Sequence, residues 1–86
     1  MEPFPSTQYF HHTRVSPDRV GIKDEWILQT IRSPETEEIQ SDGRIRRWAR
    51  IPDFENRALR VILLEDGLTV HNAFFDRDYE VKKHED

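Results

Sequence analysis

Ala58-Leu59-Arg60-Val61-Ile62-Leu63-Leu64-Glu65-Asp66-Gly67-Leu68-Thr69-Val70-His71-Asn72-Ala73-Phe74-Phe75-Asp76-Arg77 is the stretch that decides the fold. Asp66-Gly67 separates two runs rich in β-branched and aromatic residues. An Asp-Gly pair in that setting predicts a tight hairpin, because both central residues of such a turn take positive φ. With Asp66 and Gly67 as the loop, Glu65 faces Leu68, Leu63 faces Val70, Val61 faces Asn72 and Leu59 faces Phe74. Side chains alternate along a strand, so these positions share one face, which the pattern assigns to the core. Asn72 and Phe74 then have structural roles, and a buried Asn72 amide without partners would cost about 1–3 kcal/mol. The other face pairs Ile62 with His71, Arg60 with Ala73 and Ala58 with Phe75, with Arg77 just beyond.

A second Asp-Gly pair, Asp42-Gly43, lies between Thr36–Gln40 and Arg44–Ile51. It predicts a first hairpin over about 36–51, ahead of the second over about 58–77. The expected register sets Glu38 opposite Arg47, a favourable cross-strand charge pair. Ile45, Ala49 and Ile51 share one face and Arg44, Arg46, Trp48 and Arg50 the other, where Ile39 also falls. The loop beginning Pro52-Asp53-Phe54-Glu55-Asn56 leaves the register between the hairpins open.

Ahead of the sheet, residues 23–33 read as the main helix. Asp24 and Glu25 lie near its positive end and Arg32 near its negative end, and Pro34 stops it. Ile22, Trp26, Ile27 and Ile31 form its apolar stripe, with Trp26 as the structural anchor on the sheet. Ser16-Pro17-Asp18 starts a short helical turn that Gly21 interrupts. Tyr9 to Val15, aromatic and β-branched, predicts an additional N-terminal strand. The fold class is α+β: helices packed on one face of an antiparallel four-stranded sheet. Residues 1–8 are expected to be a flexible lead-in, 9–79 the domain and 80–86 a charged flexible tail.

At 86 residues the chain holds a single core. It has no cysteine, which fits a reducing, cytoplasmic setting and excludes thiolate chemistry. No apolar run reaches the ~20 residues of a membrane span. The net charge of −4 is segregated: residues 1–22 balance, 23–42 carry −4, 43–63 carry +4 and 64–86 carry −4. Opposite blocks either pair across strands or leave a basic surface facing a polyanion.

If the two arginine-bearing faces coincide, Arg44, Arg46, Trp48, Arg60, Phe75 and Arg77 would present a nucleic-acid surface, with His71 beside it. Arginine grips phosphate bidentately, aromatic rings stack unpaired bases, and a histidine transfers protons near neutral pH. Metal-free RNA cleavage needs those parts: a base, an acid, and cations for the developing phosphorane. In the competing assignment Arg60 and Arg77 meet acids and His71 merely covers Ile62. No metal centre is expected, because His11 and His12 point to opposite sides of a strand and His71 and His84 lack ligand-spaced companions. No phosphate-binding glycine loop, hydrolase signature or small-molecule cofactor motif is present.

Glu25-Trp26-Ile27, Gln40 with Asp42-Gly43-Arg44, Trp48, Leu59-Arg60-Val61 and His71 through Arg77 resemble a family of small uncharacterised bacterial proteins, chiefly cyanobacterial. The order of elements is also similar, at the level of fold, to RelE/BrnT-like ribonuclease toxins. That likeness implies a basic sheet face, here Arg44, Arg46, Arg60, His71 and Arg77, with RNA as target and an antitoxin-like partner. The competing function is a non-catalytic module that docks a protein through the Trp48 and Phe75 region.

Overall fold

The computed structural model describes residues 2–79. Its elements are α1 (Gln8–Thr13), α2 (Asp24–Arg32), β1 (Thr36–Ile39), β2 (Ile45–Ile51), a 3-10 turn (Pro52–Phe54), β3 (Arg57–Leu63) and β4 (Val70–Phe75). The four strands form one antiparallel meander in the order β1-β2-β3-β4, with both helices against one face. This is the α+β architecture that the two Asp-Gly turns predict. No helix among the described residues is long and apolar enough to cross a membrane.

The core lies between that face and the helices. Ile51, Leu59, Val61, Leu63, Val70 and Ala73 supply the sheet side, and Phe10, Ile22, Trp26 and Ile27 the other. Fully burying each large side chain contributes roughly 1.5–3 kcal/mol. The stripe expected on α2 is the stripe observed, with Ile31 and Leu28 half-buried at its margin. Thr30, also buried, returns its hydroxyl to the Trp26 carbonyl at 2.9 Å.

Residues 9–15 do not form the expected strand. Thr7 caps α1 by accepting the Phe10 N–H on its hydroxyl at 3.1 Å, and Phe10 anchors the short helix in the core. A cap and one buried ring outweigh the strand propensity of the neighbours. The expected helical turn at 16–20 is a hydrogen-bonded turn, with Arg19 and Val20 N–H both donating to the Ser16 carbonyl at 2.9 Å. Residues 2–8, expected as a loose lead-in, are anchored at two points, while Pro3, Pro5 and Gln8 are exposed. Phe4 is buried, and Ser6 bridges Val70 as a short parallel pairing. The tail expected over 80–86 lies outside the described residues.

Both hairpin registers are corrected. In the first, Glu38 pairs with Arg46 and Ile39 with Ile45, because residues 40–44 make a longer turn closed by Gln40 N–H donating to Arg44 C=O at 2.8 Å. Ile39 therefore shares the Ile45 side of the sheet rather than the Trp48 side. In the second, Leu63 faces Val70 as expected, but a bulge then shifts the ladder. Ile62 pairs with Asn72, Val61 with Ala73, Arg60 with Phe74 and Leu59 with Phe75. His71 is the extra residue, and every side chain beyond it changes face. Ala73 and Phe75 thus belong to the core side, and Asn72 and Phe74 to the outer side.

Candidate functional site

The outer face of the sheet carries the arginines that the sequence singles out, and it is closed. Trp48 is only 1% exposed, stacked against Tyr79 at 5.7 Å between ring centroids. Its indole N–H donates to Asp76 at 2.9 Å. Arg60 lies between Trp48 and Phe74, its guanidinium carbon 5.5 and 5.2 Å from the two ring centroids, and 3.6 Å from Asp76. Burial, with Arg46 next to it, lowers the Arg60 pKa from its usual value despite Asp76 and Glu38. Arg46 pairs with Glu38 at 3.7 Å and Arg50 with Glu35 at 3.7 Å. Arg47, on the helix side, binds Glu37 at 2.7 Å and the Ile31 carbonyl at 2.9 Å. The acidic block 35–42 thus neutralises the basic block across the first hairpin. Trp48 offers no free ring for a base, and Arg44 alone of this group is largely exposed, 3.9 Å from Asp42.

His71 lies near Arg44 but is engaged by residues outside the arginine face. Placed by the bulge, its ring stacks on Tyr9 at 4.8 Å, and Nδ1 lies 3.1 Å from the Thr7 hydroxyl. Burial, then the charge of Arg44, lowers its pKa below the ordinary histidine value. Asn72 accepts from Arg19 at 2.8 Å and from the Ala73 N–H at 2.9 Å, so its amide braces the strand edge. Trp26 is the helix anchor, 6% exposed and packed on Phe54 and Phe75. Phe74 packs beneath Arg19 and Arg60 on the outer side instead of in the core.

Arg77 and Phe75 belong to a different place: a cleft of about 710 Å³ between the 17–22 turn and the adjoining ends of β3 and β4. Ile22, Phe54, Phe74 and Phe75 supply apolar walls, and Arg19, Arg57 and Arg77 supply cations. Phe54 stacks on Phe75 at 4.6 Å, and Arg57 lies over Phe54 at 5.5 Å. Phe54 is presented there by the 3-10 turn and by Glu55 and Asn56, both at φ 57, which swing the chain back into β3. Arg57 meets Glu55 at 3.4 Å in a well-exposed pair, an arrangement worth little in water. Arg77 is exposed and has no ion pair among the described residues. Neither Arg60 nor His71 lines this cleft.

Arg19, Phe54 and Arg57 were not among the sequence-based candidates. One signal was readable: Phe54 is a large ring in an otherwise polar loop. Arg19 and Arg57 become neighbours only through the tertiary fold.

A further cluster joins the N-terminus to both helices. Ser6 donates to Glu2 at 2.6 Å, Ser6 Oγ lies 3.0 Å from His11 Nε2, and Arg14 bridges Glu2 at 2.7 Å and Asp24 at 2.5 Å. Glu2 binds the hydroxyl directly and approaches the same imidazole nitrogen at 3.3 Å. A hydrolytic relay requires the acid on the other ring nitrogen, so this cluster is a clamp. Burial raises the Glu2 pKa, but Ser6 and Arg14 outweigh it and hold the carboxyl below its ordinary value.

No family model, curated protein or solved structure matches this chain.

Proposed function

We propose that this domain is a non-catalytic interaction module that docks a partner protein in the cleft between the 17–22 turn and the β3–β4 ends. The observation that carries it is the cleft itself, where Arg57 and Arg77 stand beside Phe54 and Phe75 without strong partners among the described residues. Apolar walls with a few placed cations suit an anchoring side chain and an adjacent anion.

A RelE/BrnT-like ribonuclease would need a proton-transfer group within reach of the cations that hold the phosphate. Here His71 is stacked by Tyr9, while Arg46 and Arg60 are engaged by Glu38 and Asp76. The test is to mix the protein with a mixed-sequence single-stranded RNA at low salt. We expect neither cleavage nor binding with a steep salt slope. Cleavage abolished by His71→Ala in a folded protein, or salt-steep binding lost in Arg44→Ala/Arg46→Ala, would overturn the proposal in favour of the toxin-type function.

A further inference from the structure

The cleft runs beside an unfinished sheet edge. Among the described residues β4 is the last strand, and only part of its outer side is paired. Val70 directs its backbone outward: its N–H donates to the Pro5 carbonyl at 2.9 Å, and its carbonyl accepts the Thr7 N–H at 3.0 Å. Beyond the His71 bulge the phase is set by Asp76, whose N–H donates to the Ala58 carbonyl at 2.9 Å. Antiparallel ladders alternate, so Asn72, Phe74 and Asp76 point their backbone groups at β3 and Ala73 and Phe75 point theirs away. The Ala73 N–H is taken by the Asn72 side chain. Ala73 itself is 3% exposed, with Arg19 crossing the edge there from Asn72 to Phe74, so the open backbone groups are the N–H and carbonyl of Phe75, and no other described segment bonds them.

Resting on the docking proposed above, we infer that a partner segment pairs with β4 as an extended strand at Phe75. It would lie on the edge on which residues 5–7 already pair, on the far side of Arg19, and recognition by strand addition takes affinity from such backbone groups and specificity from alternate side chains. The cleft walls state what those side chains are. One aromatic or large aliphatic group meets Ile22, Phe54 and Phe75, and one carboxylate meets Arg57 and Arg77. The rim argues for a peptide with a single acid over a polyanion. Asp18 and Glu55 interleave with the arginines, their side chains 76% and 77% exposed, and the chain as a whole carries −4. A strand of phosphates would meet those acids at its flanking charges, whereas a peptide offers N–H groups to them.

The test is a selection of displayed random heptapeptides on the immobilised full chain, with Arg57→Ala/Arg77→Ala as the subtractive target. Both positions are exposed, so the double variant keeps the fold. Enriched peptides should pair one acidic residue with one aromatic or large aliphatic residue, and bind the double variant about tenfold or more weakly. Bound peptide should slow exchange of the Phe75 amide proton by about tenfold or more. Peptides that shift the Phe54 and Arg57 resonances while Phe75 exchanges unchanged would overturn strand addition and leave docking in the cleft standing. No enrichment over the subtractive target, or enrichment of peptides whose binding survives in it, would overturn both.

Discussion

The outer sheet face and the β3–β4 cleft contain the same kinds of residue and use them in opposite ways. On the face, Arg46 and Arg60 are half-buried, and their Nε groups are shielded from water. Each is held by an acid from the neighbouring sequence block, and Arg60 is pressed between two aromatic rings. In the cleft, Arg57 and Arg77 stand exposed at the margin of an apolar floor. The difference teaches that composition of a patch does not define a site. What matters is whether the groups have already been engaged by the fold that brings them together.

Substitutions can break this contrast, and the largest effect should come from the face. Trp48→Ala removes a buried ring stacked on Tyr79, and we expect a loss of about 3–5 kcal/mol in urea unfolding. A loss under about 1 kcal/mol would mean the face is not a packed layer. Asp76→Ala comes next, because it removes the carboxylate that accepts from the Trp48 N–H and pairs with Arg60. We expect it to cost about 1–3 kcal/mol, read as a lowered thermal midpoint.

The N-terminal clamp gives a control outside both regions. Glu2 has a folded pKa below its ordinary value of 4.5, so folding favours the ionised form. Its contribution is complete above that value and disappears as the pH falls through the lower folded one. Glu2→Gln should therefore destabilise by about 1 kcal/mol at neutral pH, with the difference from wild type closing in acid. The smallest effect belongs to the cleft: Arg57→Ala/Arg77→Ala should move stability by no more than about 0.5 kcal/mol. A larger loss would place these arginines in the framework, with those of the face.

Much of the framework was legible in the sequence, for local reasons. Asp42-Gly43 and Asp66-Gly67 marked both hairpins, and Gly43 and Gly67 do take positive φ, 92 and 70. The alternation along Ile45–Ile51 correctly separated Arg46, Trp48 and Arg50 from Ala49 and Ile51. The spacing of Ile22, Trp26 and Ile27 found the buried stripe of α2. The bulge at His71 left no such mark, and one inserted residue exchanged the faces of Asn72, Ala73, Phe74 and Phe75. That single shift moved Phe75 from an expected nucleic-acid surface to the wall of the cleft. Tyr79 was equally hidden. It closes over Trp48 and lies 2.5 Å from the Thr36 hydroxyl, a contact between residues 43 positions apart that local pattern does not encode.

The contrast between the two sets of arginines can be measured directly by hydrogen exchange at their side-chain Nε–H groups, followed by NMR on the unliganded protein. Arg46 and Arg60 should exchange slowly, shielded within the sheet face, while Arg57 and Arg77 exchange at rates close to those of free arginine. Fast exchange at Arg46 and Arg60, or protection at Arg57 and Arg77 in the absence of ligand, would contradict the account.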